Sequence, residues 1–133
     1  MPIQDISISV LAIFLGSVGH LMIKTGLNVF TSRFGAISVS SIWKQFPGII
    51  ITPQIIAAVI CFLISGIFWS VVMSKRDLSQ VYPMIALAHL FIALMAYFIL
   101  KEHIGIWRIA GIAVIVLGVI ILNQDKVANT GIG

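Results

Sequence analysis

Gly16, His20 and Lys24 follow one another at four-residue steps, with Ser17 beside them. At helical period they share one stripe: a glycine that leaves room, then an imidazole and an ammonium that can donate hydrogen bonds to an anion. Lys24 closes an almost uninterrupted apolar run that begins at Ile6. A cation at membrane depth costs roughly 2.5–3.5 kcal/mol on insertion scales, so one reading is a substrate or ion pathway facing the inside of a bundle. The other is a lysine that snorkels from a helix end to the interface. Farther along, Tyr82, Ala86, His89, Ala93 and Ala96 recur at steps of four and three and form a second small, polar stripe. If the two stripes face each other, they line a cavity with two histidines, a lysine and a phenol, suited to a phosphate or to sugar hydroxyls. On the alternative reading the small residues serve close helix packing and His89 hydrogen-bonds a neighbour.

Other residues invite the same two-sided reading. Trp69, with Ser65 and Gly66 one turn back, could stack on a sugar ring or anchor its helix at the interface. Pro83 is early-helix punctuation or, placed deeper, a kink that frees the carbonyl of Ser79 and opens a lateral gap. Glu102 sits between two apolar runs, where pairing with Lys101, His103 or Arg108 competes with a role in proton coupling. There is no carboxylate pair, no nucleophile beside a base and no His/Cys cluster at metal-ligand spacing; His20, His89 and His103 are dispersed. No P-loop or other glycine-rich phosphate cradle is present. The residues therefore point to transport or a structural role, with no enzyme activity, cofactor or metal expected.

The elements that must position these residues are membrane spans. The 133 residues are 60% hydrophobic and 9% charged, with a mean hydropathy of +1.16, which excludes a water-soluble domain and implies an all-α membrane protein. Four stretches are long and apolar enough to span: about 6–27, 55–73, 82–100 and 104–122. The first cation follows the first run, the reverse of a cleavable leader, so that run is expected to stay in the mature protein. Between the first two spans, residues 28–53 place Phe30, Phe34, Ile37, Ile42, Trp43 and Phe46 at three-to-four-residue spacing beside Arg33 and Lys44, the pattern of short interfacial helices. Short links around Lys75-Arg76-Asp77, with Asp77 or Ser79 as a cap, and around Lys101-Glu102-His103 make the remaining helices antiparallel neighbours in a single transmembrane domain. Residues 123–133 read as a flexible tail.

Gly111 and Gly118 lie seven apart on the last span, a spacing that lets backbones approach, and four short helices enclose little alone, so a dimer built partly on that face is expected. Cys61 is the single cysteine and carries no disulfide. The net charge of +4 comes from basic residues at span ends rather than from a nucleic-acid patch. The loops divide those residues five against three, a bias too small to choose one orientation and compatible with both, as antiparallel dimers require.

Gly19-His20-Leu21-Met22-Ile23-Lys24 resembles the first-helix pattern Gly-Gln/His-Leu-x-x-Lys of the small four-span proteins in the drug/metabolite transporter superfamily. Trp69, the stretch Asp77 to Met84 with Tyr82-Pro83-Met84, Glu102, and Gly111 to Gly118 are similar to that group's later landmarks. Two branches compete. Small multidrug resistance antiporters of lipophilic cations rely on a first-helix glutamate, and this chain has Gly16 in its place. The aminoarabinose-phospho-undecaprenol flippase subunits do not need that acid and resemble this chain more closely. That resemblance implies transport of a polyprenyl-phosphate-linked sugar across a bacterial inner membrane, by a homodimer or a heterodimer with a paralogous small subunit. Lys24 would then meet the phosphate, His20 and His89 would add hydrogen bonds, Tyr82 and Trp69 would meet the sugar, Pro83 would help the groove open, and Arg33 and Arg108 would collect the anionic lipid. A non-transporting scaffold subunit for a glycosyltransferase is the alternative of a different class. The long connection at 28–53 departs from the compact pattern of the group.

Overall fold

The computed structural model describes residues 3–129, apart from the side chains of Gln80 and residues 123–129. All the described elements are helices: α1 (Ile3–Phe34), α2 (Ile42–Ile51), α3 (Pro53–Met73), α4 (Leu78–Ile85), α5 (Leu87–Phe98) and α6 (Ile106–Asn129). Three stretches are long and apolar enough to cross a membrane: Ile3–Phe34, Pro53–Met73 and Val81–Phe98; Ile106–Leu122 is a shorter apolar helix. Large apolar side chains point outward along α3 and α6, Leu63, Ile67, Leu117 and Ile121 among them. Such surface suits hydrocarbon, where helices satisfy their own backbone and lipid covers the rest.

α1 has 32 residues, so it is about 48 Å long and exceeds a hydrocarbon core of ~30 Å; tilting or projecting ends accommodate the excess. Residues 28–34, expected to open the interfacial segment, instead continue α1. Nothing in them breaks a helix, and the stop comes at Gly35, which adopts φ +84° and donates its N–H to the Thr31 carbonyl at 2.9 Å. Polar side chains inside α1 are satisfied locally: Ser9 bonds the Asp5 carbonyl and Ser17 the Ile13 carbonyl, both at 2.8 Å.

α2 contains Pro47 and buries no residue. Gly48 lets it settle on the last turns of α1, since a Cβ there would lie 3.1 Å from the Phe30 ring. Thr52 is extended because Pro53 follows it, and Pro53 opens α3, where its missing N–H costs nothing.

The α1–α3 pair is the core of the molecule, burying Ala12, Ile13, Ala58 and Val72. Glycines set the closeness: a Cβ on Gly16 would lie 3.2 Å from Ser65 Oγ, and one on Gly19 would lie 3.1 Å from the Phe62 ring. Ser65 crosses the interface to donate to the Ala12 carbonyl at 2.7 Å, a bond worth about 0.6 kcal/mol by the average for such contacts in membranes.

The third apolar run is broken. Pro83 lies inside α4 rather than in its first turn, so it gives no N–H to the Ser79 carbonyl, and the helix is interrupted at Ala86 before α5 begins. Shorter-range bonds bridge the break, from Ala86 N–H to the Pro83 carbonyl and from His89 N–H to the Ala86 carbonyl, each 3.1 Å. Asp77 holds the N-cap position of α4, where its carbonyl accepts from Val81 N–H at 3.3 Å. After α5, Lys101 takes a left-handed conformation with φ 53°, and Glu102 N–H returns to the Ala96 carbonyl at 3.0 Å. α6 continues to Asn129, beyond the point where the tail was expected to begin, because no glycine or proline interrupts residues 123–129; the last residues of that expected tail, 130–133, lie outside the described part.

Candidate functional site

Ser17, His20 and Lys24 occupy the face of α1 that meets α5 and the α5–α6 turn. There they line a cavity of about 230 Å³ together with Ala96 and Glu102. Lys24 Nζ stands 3.6 Å from Glu102 Oε1. Glu102 was expected to pair with Lys101, His103 or Arg108; its partner is on α1. The left-handed Lys101 turns the chain back so that Glu102 reaches across to α1 instead of along its own loop. Both side chains keep access, 56% for Lys24 and 39% for Glu102, so the pair is available to a ligand rather than sealed in packing.

A second cavity of about 220 Å³ lies on the α3 side and is lined by Gly16, Ser65 and Trp69. Ser17 and His20 line both. The His20 ring meets the edge of Phe62 at a centroid distance of 5.0 Å, which holds the imidazole between the two cavities. Gly16 opens the second cavity to α3: a larger side chain there would run into Ser65.

The two-stripe expectation needs correction. Of the second stripe, only Ala96 lines the Lys24 cavity; Ala93 lines a different cavity of about 580 Å³ between α5 and α6. Tyr82 and His89 are exposed and line none of the cavities described here. Steps of three and four spread the stripe over too wide an arc of the helix: even within the continuous α5, Ala96 lines the Lys24 cavity, Ala93 the cavity shared with α6, and His89 neither, while Tyr82 lies on α4, beyond the interruption at Ala86. The α5 wall is accordingly apolar, with Ile92 and Met95. Arg108 is exposed at the start of α6, apart from both cavities. Arg33 lines a separate cavity of about 310 Å³ with Phe30, Thr52 and Gln54; Gln54 Oε1 is buried there without a protein hydrogen-bond donor. Cβ atoms added at Gly111 or Gly118 would meet nothing within 4 Å, so the small-residue face of α6 is open in the single chain.

One interaction was missed from the sequence. Asp5 is buried, and Arg76 donates to its Oδ2 from Nε at 2.8 Å and from Nη2 as well. The signal was available: two antiparallel spans return the chain to the side from which it started, which brings the Lys75-Arg76 link back to the first turn of α1.

This arrangement offers an anion acceptor, a carboxylate and an aromatic ring along a membrane-length helix, and among the described residues no cluster of three metal-ligating side chains. The family model for the EamA-like transporter family matches residues 3–124, nearly the whole chain. The chain belongs to the EamA-like transporter family. That is a family of membrane transporters within the drug/metabolite transporter superfamily. Two curated relatives carry the name probable 4-amino-4-deoxy-L-arabinose-phosphoundecaprenol flippase subunit ArnE. The one from Pseudomonas fluorescens is 34% identical over 56 residues, 42% of this chain and 49% of the relative. The one from Pseudomonas savastanoi pv. phaseolicola is 28% identical over 87 residues, 62% of this chain and 76% of the relative. The chain thus spans about half the length of the first of these curated relatives. No solved structure matches it.

Proposed function

We propose that this EamA-like protein is a subunit of a flippase that moves a polyprenyl-phosphate-linked sugar, such as an aminoarabinose conjugate on undecaprenyl phosphate, across the bacterial inner membrane. The observation that carries the reading is Lys24, a cation on a membrane-length helix that lines a cavity instead of ending in bare lipid. The names of the two relatives support the same substrate class.

A sugar phosphate crossing hydrocarbon loses its hydration at a cost of several kcal/mol per charge, whereas a polar groove open to the side lets the head cross while the tail stays in lipid. Lys24 takes the phosphate, with His20 beside it. Trp69 meets the sugar from the second cavity. The break after Pro83 lets α4 move against α5, and Arg33 and Arg108 collect the anionic lipid at the headgroups. Tyr82 and His89 lie outside the cavities in this conformation and serve the sugar only if movement about Ala86 brings them in. α6 completes a four-span unit, and its open Gly111 and Gly118 face meets a second copy or a paralogous subunit.

The test is leaflet translocation of the lipid-linked sugar in proteoliposomes. Lys24→Ala is expected to slow it at least about tenfold, the equivalent of one lost charge-assisted contact; unchanged translocation by folded variant would refute the phosphate assignment. One observation favours export of a lipophilic cation instead, the Glu102 carboxylate in the same cavity. Binding of tetraphenylphosphonium without binding of the phosphate lipid would establish that reading. A scaffold subunit would accelerate neither.

A further inference from the structure

We propose that Lys24 and Glu102 together select a dipolar headgroup, Lys24 taking a phosphate oxygen and Glu102 taking a cationic amine on the attached sugar. The inference rests on the flippase reading above and adds to it the feature of the substrate that Glu102 recognises.

Glu102 is held in place. Its backbone N–H is tied to the Ala96 carbonyl and the preceding Lys101 is turned into the left-handed region, so its carboxylate is delivered to the cavity by a shaped turn. Lys24, by contrast, reaches the cavity on a long flexible side chain from the body of α1. With no ligand the two neutralise each other across 3.6 Å. A phosphate can take Lys24 from that pair, and what happens to Glu102 then decides the cost of binding.

A headgroup with a negative charge alone would leave the carboxylate beside a phosphate, a like-charge contact in a cavity whose remaining wall is mostly apolar, with Leu21, Ile92, Met95, Ala96 and Leu100 beside Ser17 and His20. The Ser17 hydroxyl cannot easily relieve it, because its proton is already given to the Ile13 carbonyl. A headgroup that also carries an ammonium replaces one ion pair with two. Each charge in the occupied cavity then has an opposite charge beside it. Specificity arises here chiefly by penalising the wrong ligand: the empty-handed carboxylate repels a neutral-sugar phosphate. The adjoining cavity across Ser17 and His20 gives the sugar ring somewhere to lie while its two charges are held.

The experiment measures binding of full-length protein in nanodiscs to three synthetic polyprenyl phosphates that differ only in the sugar: a 4-amino sugar, its N-acetyl form and its 4-hydroxy analogue. Wild type is expected to bind the amine form about tenfold more tightly than the other two, the effect of one removed like-charge contact. Glu102→Gln is expected to bring the three within about twofold, and Glu102→Asp to retain part of the preference. No preference in wild type would overturn the proposal even if the Glu102 variants failed to fold, and so would a preference that survives Glu102→Gln. Failure of wild type to bind any of the three would instead overturn the lipid-phosphate reading itself, and the proposal with it.

Discussion

Asp5 and Lys24 lie about 28 Å apart along α1 at the α-helical rise, and each is met by a charge from another part of the chain, Arg76 and Glu102. The two pairs have different work. Asp5 keeps 9% of its side-chain surface accessible and Arg76 24%, so breaking that pair strands a charge in a poorly solvated place. Asp5→Asn is expected to cost about 2 kcal/mol in unfolding from detergent, with most of the loss absent when Arg76→Gln is made as well. The Lys24–Glu102 pair is open on both sides, and exposed pairs contribute little to stability. Glu102→Gln should therefore leave the unfolding midpoint nearly unchanged while altering ligand preference, which a thermal melt run beside the binding assay checks. That Gly16, Ser17, His20 and Lys24 run along one side of α1 was legible from period, because α1 is one continuous helix; that the stripe divides between two cavities, Gly16 on one and Lys24 on the other, was not. The partner of Glu102 was not legible, since it depends on the turn conformation of Lys101, a residue type that seldom adopts positive φ.

Helices α1 and α3 meet through glycines, and their substitution tests the packing element by element. Gly19→Ala presses a methyl onto three atoms of the Phe62 ring, and that ring also bears on His20. A loss of about 1–2 kcal/mol is expected, together with displacement of the imidazole, read by unfolding and by the His20 NMR signals. Gly66→Ala, which meets nothing within 4 Å, is the matched control and should be neutral or slightly stabilising. At the α5–α6 turn, Lys101→Gly relieves a left-handed lysine and is expected to raise stability by up to about 1 kcal/mol, whereas Lys101→Val lowers it. Approximate helix positions followed from runs of apolar residues and from Asp77 as a cap, whereas the continuation of α1 to Phe34, ended by Gly35, was not anticipated. The break at Ala86 was only half legible: Pro83 announced a kink, but its depth within the helix depended on α4 beginning at Leu78.

On the scale of the whole molecule, α1 and α3 form a packed pair while α6 stays largely uncovered, with Val119 its one buried residue among those described. The apolar composition made the membrane class legible at once. The relative placement of spans was not, because nearly every outward residue is apolar whether it faces lipid or another subunit. If the open α6 face is the proposed subunit interface, Gly111→Leu and Gly118→Leu leave the fold intact and weaken association, measured by cysteine crosslinking in membranes or by mass photometry in detergent. The three tryptophans divide in the same way: Trp43 is 85% and Trp107 88% accessible, neither of them lining the Lys24 cavity, while Trp69 is partly covered and lines the cavity that shares His20. Replacing the first two by phenylalanine would make the protein its own optical probe. Its remaining emission would come from beside the cavity that holds His20, so arrival of a ligand or a change in hydration there would shift the spectrum without any attached dye.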